Sequence, residues 1–191
     1  MPNWSVTSYV LVGDRDQLDA LYNRMSELEQ MKEPLVPNGF GPNWLGCLVK
    51  SLGGDPQKVY CRGSWSDLCR EDDSVTFDCE HAWSRPHEVE DLIRSVYPDI
   101  DIYFLEEELG MDIFQTNDTE NAYFHDTVII DIEDEGMEYY GDADALAELS
   151  RMKGETISTW EEAEDFVKER NAEADAGDDV SHIWIHRVDY V

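Results

Sequence analysis

"SVTFDCEHAWSRPHEVEDLIRSVYP", residues 74–98, contains the change of period that decides the fold. From Val75 the pattern alternates, with Val75, Phe77, Cys79, His81 and Trp83 on one side and Thr76, Asp78 and Glu80 on the other, as in a strand with one buried face. After Ser84 the spacing becomes helical. Val89, Leu92, Ile93 and Val96 form one stripe, Ser84 is placed to cap it with Pro86 in the first turn, and Pro98 ends it. A strand running straight into an amphipathic helix buries the two apolar faces against each other.

The same logic extends outward in both directions. "KVYCRGSWSDLCRE" (58–71) reads as the antiparallel partner of 74–83, joined by a tight turn at Asp72 and Asp73. "DIDIYFLEEE" and "GMDIFQTND" form a further strand pair around Gly110. Near the N-terminus "WSVTSYVLVGD" is a strand closed by Gly13. Asp14 and Gln17 have capping-box spacing, and Leu18, Leu21, Met25 and Leu28 predict a helix with that face buried. A loop rich in Pro and Gly follows, and Asn43 is placed to cap a short helix "WLGCLVKSL" that Gly53 and Gly54 stop. The order is β-α-β-β-α-β, which predicts an α+β, ferredoxin-like unit over residues 1–118 with a helical insert at 33–58.

Residues 119–191 read as strand "TVIIDIE", return strand "MEYYG", helices from about Ala143 to Met152 and from Trp160 to about Ala174, and strand "HIWIHRVDYV". No linker composition separates them from what precedes. The expectation is therefore a β-β-α-α-β extension packed on the same sheet, making one continuous domain without a second closed core.

Charge is the most extreme property of the chain. The net charge is −30, and residues 99–191 hold 28 acidic against 5 basic side chains, a net −23. Such a field repels nucleic acid and anionic membranes and favours cations or basic protein surfaces. Direct nucleic-acid binding and membrane association are therefore not expected. The N-terminus has no basic leader or apolar h-region, and no run of about 18 apolar residues occurs, so the expected location is cytoplasmic. Cys47, Cys61, Cys69 and Cys79 form no C-x-x-C pair, which predicts reduced, mostly packed thiols. No phosphate-binding glycine loop is present, and no cofactor is predicted.

The opening "MPNW", the strand "YCRGSW", the junction "HAWSRPHEV" and the hairpin "GMDIFQTND" together resemble the YubB ferredoxin-like domain family over roughly residues 1–118. The chain departs from that pattern at Ser5, where relatives tend to have Cys, and near Arg85, where they tend to have a second Pro. The resemblance implies a ferredoxin-like fold and a setting in bacterial plasmids, phages or conjugative elements. It carries no catalytic residues to transfer.

Two acidic segments are the candidate sites. In "DIEDEGMEYYGDAD", Asp131, Glu133, Glu135, Gly136 and Asp142 follow the order of an EF-hand loop, which makes Asp131, Glu133, Glu135 and Asp142 a candidate cation site. A β-hairpin turning at Glu135 and Gly136 accounts for the same letters, with the carboxylates facing water. In the last helix Glu162, Asp165, Glu169 and Glu173 lie three or four apart, where each like-charge pair costs a few tenths of a kcal/mol, and they form a candidate partner-binding stripe. The crowded carboxylates Glu106, Glu107, Glu108 and Asp112 show no sign of catalytic pairing, and no catalytic residue is assigned. His81 reads as a hydrogen-bonded core residue, and His182 and His186 read as strand residues that with Asp189 offer a weak metal alternative. The tryptophans read mainly as core. The sequence thus predicts a non-enzymatic, protein-binding accessory protein, in its sharpest form an acidic decoy of nucleic acid. The alternative is a divalent-cation-binding protein or metal-dependent enzyme.

Overall fold

The computed structural model describes residues 3–177 and 180–191; Met1 and Pro2, which open the stretch that resembles the YubB family, lie outside them. The chain is α+β and divides into two compact units, Met1–Asn117 and Asp118–Val191.

In the N-terminal unit the elements are β1 (Trp4–Gly13), α1 (Arg15–Glu29), α2 (Leu45–Ser51), β2 (Gly63–Arg70), β3 (Ser74–Ala82), α3 (His87–Val96), β4 (Ile100–Glu108), a 3-10 turn (Leu109–Met111) and β5 (Ile113–Thr116). Within it the strands run in the order β2-β3-β1-β4-β5, and adjacent strands pair antiparallel. Tyr9 stands opposite both Phe77 and Phe104, so the alternation anticipated for 74–82 is continued across β1 and β4 as one apolar face. That face and the three helices enclose a core that includes Leu11, Leu18, Leu21, Met25, Leu48, Trp65, Phe77, Val89, Ile93 and Phe104. Cys47, Cys61 and Cys79 are buried free thiols, and Cys69 is an exposed one.

Several local expectations hold and several are corrected. Asp14 caps α1 by accepting the Gln17 backbone N–H at 3.0 Å. The Gln17 side chain does not close a capping box; it pairs instead with Asp99, donating to Oδ2 at 2.6 Å and accepting the Asp99 N–H at 3.1 Å. Asn43 does not cap α2, whose N-cap is Trp44, because its amide donates to the Trp65 carbonyl. Ser84 does not cap α3 either: the N-cap is Pro86, without a side-chain bond. β3 ends at Ala82, and Trp83 turns to φ +73 and is 48% exposed rather than extending the buried face.

In the C-terminal unit the elements are β6 (Val128–Ile132), β7 (Gly136–Tyr140), α4 (Asp142–Lys153), α5 (Trp160–Ala176), β8 (Ile183–Arg187) and the two-residue β9 (Asp189–Tyr190). β6 pairs antiparallel with β7 on one side and β8 on the other, giving a three-stranded sheet in the order β7-β6-β8. This corrects the expectation that these strands extend the first sheet. A core of their own, Val128, Ile130, Ala145, Leu149, Ile157, Ala163, Phe166 and Ile183, corrects the expectation that the segment lacks one. Asp118, at the start of the unit, is buried and accepts the backbone N–H groups of Ala122, Tyr123 and Phe124, which fixes the loop leading into β6. Among the described residues no helix is long and apolar enough to cross a membrane.

Candidate functional site

The acidic face of the C-terminal unit is organised around α5. Thr159 and Glu162 close a full capping box: Thr159 Oγ1 accepts the Glu162 N–H at 3.3 Å, and Glu162 Oε2 accepts those of Thr159 and Ser158. Ala163 and Phe166 fix the buried side. Near its other end Asn171 clasps the start of β8, donating to the Ile183 carbonyl and accepting the Ile183 N–H, both at 2.8 Å. With Ala163 and Phe166 buried and Asn171 bound to β8, the opposite face of the helix is turned outward. Glu162, Asp165, Glu169 and Glu173 are all exposed, and none of the four forms an ion pair among the described residues.

A second acidic group joins three elements. His182, just before β8, lies with Nδ1 2.6 Å from Glu133 Oε2 and Nε2 3.1 Å from Asp175 Oδ1. Hydrogen bonding to Glu133 and then to Asp175 raises the His182 pKa, and the same contact lowers that of Glu133. Trp184 stacks beside the imidazole at 5.8 Å between centroids. His186 sits on β8 opposite Ile129, and Asp189 is on β9.

The four candidate cation ligands follow separate courses. Asp131 is inside β6, opposite Met137 and Trp184; Glu133 turns to His182. Glu135 lines a polar recess with Glu138, Glu148, Arg151 and Arg170. Asp142 opens α4 and accepts from Thr127 Oγ1 at 3.2 Å and from Trp160 Nε1 at 3.1 Å, so its carboxylate locks the two helices' starts. The segment is the β6–β7 hairpin, with Asp134 at φ +68 and Gly136 at φ +102 in its turn. Among the described residues no three His, Cys, Asp or Glu side chains are grouped so as to hold a metal ion.

In the N-terminal unit, Glu106 belongs to a buried polar network that sequence spacing did not reveal. Glu90, on α3, is 3% exposed and accepts the Tyr9 hydroxyl at 2.8 Å; Arg85 pairs with it through Nη1. The Arg85 guanidinium lies over the Phe104 ring, 3.6 Å from its centroid. Glu106 accepts from Gln115 Nε2 at 2.7 Å, the Arg85 backbone N–H at 3.1 Å and Ser5 Oγ at 3.3 Å. His81 is fully buried with Nε2 2.7 Å from Thr7 Oγ1. Burial, then the positive charge of Arg85, pushes the His81 pKa down to about 4, so its imidazole is neutral at pH 7. Such a network ties β1, α3 and β4 together through two buried carboxylates, Glu90 and Glu106.

Exposure also corrects the assignment of the tryptophans. Trp65 is fully buried and Trp44 and Trp160 pack on the cores, whereas Trp4, Trp83 and Trp184 are 44–49% exposed. No family model matches the chain, and no curated protein or solved structure matches it at a significant level.

Proposed function

We propose that this chain is a non-enzymatic, protein-binding accessory protein of a bacterial mobile element, acting in the cytoplasm, and that its acidic C-terminal unit occupies a basic surface on its partner. The single observation that carries this reading is the charge density of α5. Over Glu161 to Asp175 the helix carries seven carboxylates and two basic side chains. That length is about 21 Å at 1.5 Å per residue, so the net density is about one charge per 4 Å, close to the 3.4 Å spacing along one DNA strand. A basic groove shaped for nucleic acid meets a comparable row of charges, which is the sense in which the helix acts as a decoy.

The N-terminal unit is, in this proposal, a ferredoxin-like domain of the YubB kind. The strand order β2-β3-β1-β4 with α1 and α3 packed on one face supports it. In the decoy reading this unit is the scaffold and the acidic unit is the effector.

The test is capture from bacterial lysate at low salt, with the wild-type chain beside a variant carrying Glu162→Gln, Asp165→Asn, Glu169→Gln and Glu173→Gln. Proteins retained by the wild type, lost from the variant and released in a salt step support the proposal. Equal retention by both chains, or retention indifferent to salt, overturns it.

A further inference from the structure

The N-terminal unit has a recess of about 400 Å³ whose lining includes Trp4, Phe40, Trp44, Arg62, Ser64 and Glu80. Its floor is the side of the sheet opposite the helices. Ser64 is paired with Glu80 across β2 and β3, and Glu80 with Val6 across β3 and β1, so strand alternation directs these side chains away from the core. Trp4 stands two residues before Val6 and forms one wall.

The other wall is the loop before α2, and it is rigidly built. Asn38 Oδ1 accepts the backbone N–H groups of Phe40 and Gly41 at 2.6 and 2.8 Å. Trp44 forms a bridge to Ser64, and the Trp65 N–H donates to the Asn43 carbonyl at 3.1 Å. The indole of Trp44 lies where a Cβ on Gly46 would come within 2.2 Å of its ring atoms, so residue 46 must be glycine for the wall to stand. Phe40 stacks on Trp44 at 6.3 Å between centroids. Yet Phe40 is 66% and Trp4 49% exposed, two large aromatic surfaces that add little to the core.

Glu80 at the floor is exposed and makes no ion pair or side-chain hydrogen bond among the described residues. Two indoles and a phenyl ring around a free carboxylate form a cation-binding arrangement, because the faces of aromatic rings attract positive charge and the carboxylate completes the neutralisation. A guanidinium suits it better than an ammonium, since it is planar, stacks on an indole and offers a fork of N–H donors to a carboxylate. We propose that this recess binds the side chain of an arginine presented by a peptide, stacked between Trp4 and Trp44 and hydrogen-bonded to Glu80. The negative charge of the chain as a whole, −30, draws such a ligand in. Arg62, which also lines the recess, opposes it, and supplies a control.

The experiment is an NMR titration of the full chain, following the tryptophan indole N–H signals, with N-acetyl-arginine amide and with its neutral isostere N-acetyl-citrulline amide. The expected result is saturable shifts confined to Trp4 and Trp44, with citrulline binding at least about fivefold more weakly and Glu80→Gln costing a similar factor. Glu80→Gln is an exposed, isosteric change, and an unaltered spectrum of the free variant verifies its fold. Arg62→Ala should tighten binding. Equal response to citrulline, insensitivity to Glu80→Gln, shifts spread over the acidic helix, or weaker binding in Arg62→Ala would each overturn the assignment.

Discussion

Tyr9 donates its phenolic hydrogen to Glu90 Oε1 at 2.8 Å across 81 positions of sequence, joining the middle of β1 to the first turns of α3. Burial, and then the Glu90 carboxylate, raises the phenol pKa well above its ordinary value, which keeps the hydroxyl a donor at neutral pH. The carboxylate in turn depends on Arg85, and Glu90 is the only acidic side chain of α3 that is buried.

Removing Arg85 should therefore be far more damaging than its partial exposure suggests. Arg85→Ala leaves Glu90 buried without its main counter-charge, a change that costs about 3–5 kcal/mol in comparable buried pairs. Tyr9→Phe removes one hydrogen bond to a charged acceptor and should cost about 1.5–3 kcal/mol. Urea unfolding followed by circular dichroism gives both values. The order Arg85→Ala worse than Tyr9→Phe is the outcome to check, and Arg85→Ala combined with Glu90→Gln should recover part of the loss.

His81 makes stability depend on pH. Its imidazole takes a proton near pH 6.5 when unfolded but only at about 4 when folded, so the unfolded state binds more protons in between. The stabilising contribution is complete above about pH 6.5 and is lost as pH falls towards 4, by at most about 1.4 kcal/mol per pH unit from this one group. His81→Gln keeps a polar atom near Thr7 and cannot titrate. Its denaturation midpoint should fall less steeply than that of the wild type between pH 6.5 and 4.5; parallel curves would mean that His81 is already charged in the fold.

His182 behaves in the opposite sense. Its folded pKa is raised by the hydrogen bonds to Glu133 and Asp175, so the ion pairs are complete below its unfolded pKa and are lost as pH rises through the folded one. An NMR titration of the imidazole should give a midpoint above the ordinary histidine value. Glu133→Gln should lower it more than Asp175→Asn, because the Glu133 contact is the shorter one.

Gly13 is the position where β1 ends, at φ +137, and a Cβ there would lie 2.0 Å from the Asp99 carbonyl oxygen. The Asp14 N–H donates to that same oxygen at 3.0 Å. Gly13→Ala should cost about 1–3 kcal/mol from backbone strain before any displacement of β4 is counted. Thermal unfolding measures it, and an unchanged midpoint would mean that the junction of β1 and α1 relaxes freely.

The parts of the fold that were legible in the sequence are those governed by a single period. Leu18, Leu21, Met25 and Leu28 announce α1, and Val75, Phe77 and Cys79 announce β3, because each set meets one continuous apolar surface. Glu90 was illegible because, although Arg94 lies 3.7 Å away one turn on in the same helix, its closest partners, Tyr9 and Arg85, come from outside that helix. The second core was missed for a different reason: Val128, Ala145, Ile157 and Ile183 are spread over short elements whose stripes are narrow, and only their pairing around β6 makes them one cluster. Both misplaced caps, Asn43 and Ser84, have the right residue type near the right place, but Asn43 is engaged by Trp65 and the start of α3 is set by Pro86. Of the candidate sites, the α5 stripe is readable from spacing alone. The aromatic recess is not, since Trp4, Trp44 and Glu80 meet only once the loop before α2 folds back on β2.

The margin of the sheet formed by β2 has a consequence for how the protein behaves when crowded. An outermost strand with free N–H and C=O groups is a template on which another chain can add. Here the register breaks between Ser66 and Cys69, with Asp67 at φ +54, while Trp44 already occupies Ser64 at the other end. Too short a straight run is left for a stranger to zip onto, and the protein is built to resist polymerising through this margin even where it is abundant.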